Sequence, residues 1–153
     1  AHGVSADGHF MKYLGNDAVD SSLLWLAVPY RLVDVDDPRF LATVAKIERD
    51  ILRPGGGVYR YAADTYFGGG EWLLLTAWLA WTYHELGRTD DAHRLLTWIE
   101  AQATPQGEMA EQVCEHTLSP DYYPHWVEKW GTPALPLLWS HGMYLILNSL
   151  TRL

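Results

Sequence analysis

The sequence predicts an all-α protein of about five helices in two layers. Apolar residues repeat at helical spacing in five stretches, and turn or cap residues separate most of these stretches. The stretches alternate in character: three are apolar on nearly every side, and two have one polar face. A helix that is apolar on all sides must be enclosed on all sides. We therefore expect three inner helices backed by two amphipathic outer helices.

The first two predicted helices show this alternation. The first covers about residues 17–28, with Asp17 as its N-cap and Pro29 as its stop, and it has almost no polar face. The second begins at Asp37 and Pro38, a capping residue followed by proline at the first helical position. Its apolar residues recur at helical spacing: Phe40, Val44, Ile47 and Ile51.

Residues 53–69 interrupt the helical pattern with a glycine turn and a short extended piece at 58–61. The third helix is predicted from about residue 70 to 86, apolar almost all round, with Trp78 deeply buried and a glycine as its C-terminal cap. The fourth helix follows residues 89–91 and has one apolar face.

Residues 104–132 are predicted to form a long irregular loop, and a loop of that length in a compact domain is usually functional or disordered. The fifth helix is expected to start between Pro133 and Pro136. It is again strongly apolar, so we expect Leu138 and Leu145 to be deeply buried.

Composition excludes several classes of function. The chain has 153 residues and a net charge of −8, so it lacks the basic surface that nucleic-acid binding requires. No apolar run is long enough to cross a membrane. Eight Trp and nine Tyr against three Phe favour rings that carry a polar group, which carbohydrate sites often use. Most of these rings are nevertheless expected to belong to the core.

Cysteine and histidine usage gives no sign of a metal or cofactor. The single Cys114 excludes an internal disulfide and fits a reducing compartment, and no secretory signal pattern opens the chain, so a cytoplasmic location is favoured. Cys114, His116 and His125 share one segment but match neither an HExxH nor a paired CxxC pattern. We expect no cofactor and no metal site.

Two irregular segments hold the candidate functional residues. Glu111 lies in the long loop, where it is either a solvated surface acid or a carboxylate that faces a cavity. Arg60 and Asp64 are four residues apart and form either an exposed ion pair or a pair that hydrogen-bonds sugar hydroxyls. Tyr66 and Trp72 follow, and they offer a hydroxyl and a ring face to a ligand.

The order of these motifs resembles glycoside hydrolase family 15, the family of glucoamylases, glucodextranases and isomaltose glucohydrolases. The similarity covers nearly the whole chain. It is carried by five stretches: Gly15-Asn16-Asp17-Ala18-Val19-Asp20-Ser21-Ser22-Leu23-Leu24, Tyr59-Arg60-Tyr61, Asp64-Thr65-Tyr66 with Trp72, Ala110-Glu111-Gln112, and Pro136-Leu137-Leu138-Trp139-Ser140-His141.

The resemblance implies a partial (α/α)6 barrel, an α/α toroid with its site at the mouth of the inner helices. It implies that Glu111 is the general base that activates water and that Arg60 and Asp64 hold sugar hydroxyls. It also implies that Trp72 lines the pocket and that Trp139 is a substrate-binding tryptophan near the base. Residues 67–71 depart from the family's usual polar run before the tryptophan.

A second departure is an absence. The family's general acid lies in a Trp-Glu-Glu motif, which this sequence does not contain. An inverting glycosidase requires two carboxyl groups, about 6.5–9.5 Å apart. We therefore expect residues 1–153 to be the C-terminal half of a glucoamylase-like catalytic domain, with the N-terminal half as its partner. Alone, the chain should be inactive and should expose apolar surface where the remaining helices pack.

The leading interpretation is an inverting, exo-acting α-glucoside hydrolase that releases glucose from the non-reducing ends of α-glucooligosaccharides. Trehalose hydrolysis within the same family is an alternative. A non-catalytic helical module that binds sugar, and a helical scaffold without a ligand, are the alternatives from other classes. None of these interpretations involves nucleic acid or a membrane.

Overall fold

The computed structural model describes residues 2–151, so residues 1, 152 and 153 of the predicted domain lie outside the described part. The structure contains five α-helices within these residues: α1 (Pro38–Asp50), α2 (Leu73–Glu85), α3 (Thr89–Ala101), α4 (Tyr123–Trp130) and α5 (Leu138–Thr151). Three 3₁₀ segments accompany them: Ser21–Leu26, Tyr66–Gly68 and Pro120–Tyr122. Strands β1 (Val58–Tyr59), β2 (Glu71–Trp72) and β3 (Gln112–Val113) are two residues long.

The predicted alternation of inner and outer helices is confirmed. Helix α2 is the centre of the fold: it packs against α3, α5 and the 3₁₀ segment Ser21–Leu26, and ten of its residues are buried. Helices α1 and α3 each bury one face, as their amphipathic patterns require. Trp78 on α2 is buried as predicted. The predicted start of α1 is confirmed as well, because Asp37 accepts a hydrogen bond from the Arg39 amide.

The first predicted helix, residues 17–28, is wrong in type and in its cap. Only Ser21–Leu26 is helical, as a 3₁₀ segment, and its N-cap is Asp20. The side chain and the backbone amide of Ser21 are bonded to the carbonyl oxygens of Tyr59 and Arg60, which ties the start of this segment to β1. Asp17 instead lies beside His9 and Lys46.

A small sheet, which the helical pattern did not predict beyond the extended piece at 58–61, connects the functional segments. Strand β2 is central and pairs antiparallel with β1 and β3. Trp72 lies opposite Val58 on one side and opposite Gln112 on the other. The sheet therefore holds the segment before Arg60, the start of α2 and the segment after Glu111 in a fixed register.

The prediction of an irregular loop at 104–132 is wrong in part, because this segment contains β3, a 3₁₀ turn and α4. Pro124 stands in the first turn of α4, where its missing N–H costs nothing, and Gly131 ends the helix at a positive φ of 80°. Trp126 anchors α4 against Phe67 and Tyr66. Aromatic packing thus gives structure to a segment that lacks a long apolar repeat.

The prediction that Leu138 and Leu145 are buried is also wrong: their exposed fractions are 84% and 63%. Helix α5, which begins after Pro136 rather than between the two prolines, packs one face on α2 and α3 through Met143 and Leu147. Its other face has no neighbour within residues 2–151. The apolar character of this helix therefore exceeds what the described chain buries.

No helix within residues 2–151 combines the length and the apolar content that crossing a membrane would need.

Candidate active site

Arg60 is the cation of the site, and Asp64 holds it in place. The Arg60 Nε and Nη2 atoms donate to the two carboxylate oxygens of Asp64 at 2.9 and 2.6 Å. Burial acts to lower the pKa of Arg60, but the hydrogen bonds and the charge of Asp64 outweigh it and raise that pKa. The guanidinium is therefore charged, and it lies 5.3 Å from the ring centroid of Trp72 and 5.2 Å from that of Tyr66.

Asp64 is fully buried and lines neither of the cavities described below. One of its oxygens also accepts from the Tyr66 amide at 3.0 Å. The sequence prediction gave Arg60 and Asp64 the same contact with sugar hydroxyls. In the structure the two residues have different positions: Arg60 borders a cavity, and Asp64 is hydrogen-bonded to Arg60 without reaching the cavity.

Glu111 is held by its neighbours on both sides. Its amide donates to the Ala134 carbonyl at 2.9 Å, and the Ser140 hydroxyl donates to the Ala110 carbonyl at 2.7 Å. Gln112 belongs to β3. The Tyr66 hydroxyl donates to Oε2 of Glu111 at 3.3 Å. The backbone around Glu111 is therefore fixed, and one oxygen of its carboxylate is hydrogen-bonded to Tyr66.

The surroundings of Glu111 shift its acidity. Burial raises the pKa of Glu111, while the Tyr66 hydrogen bond and the charge of Arg60 partly offset that effect. Burial also raises the pKa of Tyr66, and the negative charge of Glu111 adds to that shift. Tyr66 therefore stays protonated as a donor, and Glu111 is a stronger base than an exposed glutamate.

Glu111 borders two cavities. The Trp72 cavity has a volume of about 310 Å³ and is lined by Asp20, Ser22, Arg60, Trp72, Leu74, Leu75, Trp78, Glu111, Leu137 and Trp139. The Trp126 cavity has a volume of about 540 Å³ and is lined by Tyr66, Phe67, Glu111, Trp126, Trp130, Thr132 and Ala134. Glu111 is thus common to both linings.

Trp139 is half-exposed and packs against two other tryptophans. Its ring centroid lies 5.8 Å from that of Trp78 and 6.1 Å from that of Trp25, and those two centroids are 4.4 Å apart. One face of the Trp72 cavity is therefore a fixed aromatic wall. The structure brings Arg60, Trp72, Glu111 and Trp139 to this cavity, and it places Tyr66 in the other.

Several cavity-lining residues were not among the sequence-predicted site residues, and they include Asp20, Ser22, Trp126 and Trp130. Asp20 and Ser22 belong to the stretch that carries the family resemblance, but a helix pattern gives them only a capping role. Trp126 and Trp130 were visible as aromatics in the 104–132 segment, but without α4 nothing indicated that they share a wall. Helical spacing of four residues is the signal that relates them.

The arrangement suits a neutral ligand with many hydroxyl groups. Indole faces stack on the apolar face of a sugar ring, and a guanidinium and a carboxylate that line the same cavity can hydrogen-bond its hydroxyls. Within residues 2–151, no group of three or more His, Cys, Asp or Glu side chains is arranged to hold a metal ion. Glu111, a carboxylate with a raised pKa beside the Tyr66 hydroxyl, can accept and release a proton at this site.

Comparison with known proteins agrees with this chemistry. The family model for glycosyl hydrolases family 15 matches residues 4–148. An isomaltose glucohydrolase from Kribbella flavida is 50% identical over 147 residues, which are 96% of this chain and 38% of the relative. A trehalase from Mycolicibacterium smegmatis is 35% identical over 118 residues, which are 74% of this chain and 17% of the relative.

Solved structures give the same result. A glutamate-to-alanine variant of a glycosidase, in complex with glucose, superposes with a TM-score of 0.95 at 47% identity over 99% of this chain and 40% of the other. The wild-type glycosidase superposes with a TM-score of 0.94 at 48% identity. This chain thus spans about 40% of the glycosidases that it matches, and its helices form a partial α/α toroid. The chain belongs to glycosyl hydrolase family 15.

Proposed function

We propose that this chain supplies the general-base side of an inverting, exo-acting α-glucoside hydrolase that releases glucose from non-reducing ends. The observation that carries the proposal is the position of Glu111. Its carboxylate accepts a hydrogen bond from Tyr66, and the residue lines both cavities. A base in that place reaches a water molecule beside a sugar held in the Trp72 cavity.

We propose the following reaction at this site. A terminal glucosyl ring binds in the Trp72 cavity against Trp72, with Arg60 on its hydroxyls. Glu111 accepts a proton from water as the water oxygen bonds to the anomeric carbon and the glycosidic C–O bond breaks. A separate carboxylic acid gives its proton to the leaving oxygen. We place the rest of the substrate in the Trp126 cavity, where aromatic side chains can contact a second sugar.

The acid is proposed to come from the part of the catalytic domain that this chain does not match in its relatives. The sequence has no Trp-Glu-Glu motif, and the chain spans 38% of the Kribbella flavida relative. Residues 1–153 would then act as the C-terminal half of the domain, with the N-terminal half as partner. On this proposal the chain by itself binds glucose but does not turn over α-glucosides.

The proposal is tested in a chimera in which this chain replaces the matching segment of the Kribbella flavida isomaltose glucohydrolase. Glu111→Gln keeps the shape of the side chain but removes its ability to accept a proton. We expect kcat on isomaltose to fall about 10²–10⁴-fold, with glucose binding retained. Unchanged kcat in this variant would remove Glu111 from the mechanism.

Arg60→Ala in the same chimera distinguishes binding from proton transfer. Arg60 contacts the sugar in the ground state and in the transition state alike, so its loss should raise KM as well as lower kcat/KM. The matched control is Arg39→Ala, which removes an exposed arginine that is paired with Asp37 on α1. Equal kinetic effects of the two arginine variants would contradict a role for Arg60 in binding.

Trehalose hydrolysis is the second candidate function, and the trehalases among the relatives favour it. Comparing kcat/KM of the chimera on trehalose and on isomaltose decides between the two substrates, with the parent isomaltose glucohydrolase as reference. A shift towards trehalose relative to the parent would assign that preference to this chain. A chimera that binds glucose but hydrolyses neither substrate would favour the non-catalytic module.

A further inference from the structure

Asp20 is a second carboxylate residue that lines the Trp72 cavity, together with Glu111 and with Arg60, whose buried partner Asp64 lies outside the lining. Its side chain is 16% exposed, and it lies within electrostatic reach of Arg60. Neither the general-base chemistry nor the Arg60 contact makes use of it. In the structure its side chain caps the 3₁₀ segment Ser21–Leu26.

The two oxygens of Asp20 have different surroundings. Oδ1 accepts from the Ser22 amide at 2.9 Å and from the Ser22 hydroxyl at 2.7 Å. Oδ2 faces the Lys12 ammonium at 3.7 Å, which is beyond hydrogen-bond distance. One oxygen is thus fully engaged and fixes the carboxylate plane, while the other keeps acceptor capacity beside a cation.

Asp20 and Arg60 belong to one rigid frame. The Ser21 amide donates to the Arg60 carbonyl at 3.0 Å, and the fully buried Ser21 hydroxyl donates to the Tyr59 carbonyl at 2.6 Å. The Lys12 ammonium lies 2.8 Å from the ring centroid of Tyr61, and the Arg60 guanidinium lies 5.1 Å from the same centroid. Asp20 and Arg60 are therefore held in a set pattern on the lining of the cavity, with Lys12 next to Asp20 and Tyr61.

We propose that Asp20 is a further sugar-binding residue, whose free carboxylate oxygen accepts a hydrogen bond from a hydroxyl of the glucosyl unit in the Trp72 cavity. This inference rests on the proposed function, because it takes glucose as the occupant of that cavity. Ser22 orients the carboxylate, and Lys12 places a positive charge beside it. Arg60 as donor and Asp20 as acceptor then select a ring with hydroxyls at two positions, which a single contact cannot do.

Asp20→Asn separates this role from capping. Asparagine caps helices about as well as aspartate, so a residue that only caps the 3₁₀ segment tolerates the change. A residue that accepts a sugar hydroxyl through its charge does not tolerate it, because a charged hydrogen bond contributes more than a neutral one. Asp20→Ser is a second variant that keeps a capping oxygen and removes the carboxylate.

The experiment measures the affinity of the 153-residue chain for glucose, from tryptophan emission and by calorimetry. We expect both Asp20 variants to bind glucose about tenfold more weakly than the wild type, with unchanged thermal midpoints. The matched control is Asp37→Asn, which alters the N-cap of α1 away from the cavity and should leave the affinity unchanged. In a series of monodeoxyglucoses, the penalty of Asp20→Asn should vanish for the sugar that lacks the hydroxyl bound by Asp20.

The outcomes are distinct. Wild-type affinity in folded Asp20→Asn or Asp20→Ser overturns the role of Asp20 and leaves the proposed function intact. A penalty that is the same for every deoxyglucose also overturns it, since no particular hydroxyl is then involved. A wild-type chain that does not bind glucose overturns both this inference and the assignment of glucose to the Trp72 cavity. Two Asp20 variants that both fail to fold would assign the residue to the cap alone.

Discussion

Glu111 carries a conflict between stability and its proposed role. Because burial raises its pKa, the folded chain holds the Glu111 proton more tightly than the unfolded chain does. Any stability from this group is present below the ordinary glutamate pKa and is lost as the pH rises through the raised folded pKa. A base that must be ionised therefore destabilises the fold under the conditions in which it works.

The first prediction uses that sign. Glu111→Gln removes the ionisable group, so the thermal midpoint of the variant minus that of the wild type should be larger at pH 7 than at pH 4. The control is Asp37→Asn, which should have the opposite effect. The Arg39 hydrogen bonds lower the pKa of Asp37 to about 2, so ionised Asp37 stabilises the fold, and its loss should cost stability at pH 7. A difference for Glu111→Gln that is independent of pH would contradict this account.

Residue types and spacings predicted the pairing of Arg60 with Asp64, but not the different positions of the two side chains. A cation and a carboxylate four residues apart can pair in this way whether the segment is buried or exposed. Which of them is buried depends on the 3₁₀ segment Tyr66–Gly68 and on the neighbouring sheet, and sequence spacing does not reveal how these pack. The same limit applies to Asp20, because a capping pattern does not reveal that a cavity lies on its other side.

At the scale of elements, the small sheet fixes Glu111 relative to Trp72, and Gly70 permits the close approach this requires. The Gly70 amide donates to the Gln112 side-chain oxygen at 2.8 Å. A Cβ atom at position 70 would collide with the backbone oxygen of Val113 and lie 2.7 Å from that Gln112 oxygen. Glycine is therefore needed here for space rather than for an unusual φ.

We predict that Gly70→Ala displaces the segment that carries Glu111. The chimera with this substitution should lose both thermal stability and kcat on isomaltose, since about 1 Å of misplacement is enough to cost on the order of 10²-fold in rate. Gly55→Ala is the control, because position 55 has open space around it and no positive φ. A Gly70→Ala chimera with wild-type kinetics would show that the sheet does not position the base.

Elements with strong periodicity and caps were predicted well. Helix α1 begins at Pro38 because aspartate and proline fix its first turn, and α3 follows its amphipathic pattern. Helix α4 was missed because its eight residues hold no long apolar repeat, and packing of Trp126 on Phe67 stabilises it. The 3₁₀ segment Ser21–Leu26 was taken for an α-helix because an apolar run does not distinguish the two.

At the scale of the whole molecule, the sequence pattern predicts that α5 is an apolar helix but not which of its residues are buried. The pattern correctly marks α5 as a helix that is apolar on both faces. Within residues 2–151 its second face is left exposed. Leu138 and Leu145 are seven residues apart, so they lie on the same side of the helix, and Ile146 beside Leu145 is 41% exposed. We call this surface, formed by Leu138, Leu145 and Ile146, the open α5 face.

We expect the open α5 face to make the chain bind hydrophobic dye and associate with itself, because large exposed apolar patches mark interaction surfaces. The double variant Leu138→Lys with Leu145→Lys should reduce dye binding and self-association while leaving the thermal midpoint nearly unchanged, since both side chains are already in water. Leu41→Lys is the control, because Leu41 is 40% exposed on the outer helix α1. A wild-type chain that stays monomeric and binds no dye would contradict the prediction.

In the chimera the same double substitution should have the opposite consequence. If the rest of the toroid packs on the open α5 face, two buried lysines without partners cost several kcal/mol, and the chimera should lose stability and hydrolysis of isomaltose together. Leu41→Lys should leave both nearly unchanged. A double variant that is harmless in the chimera would mean that this face stays in water there. The toroid would then have to close around the site without α5, and the proposed division of the two catalytic carboxyls would lose its structural basis.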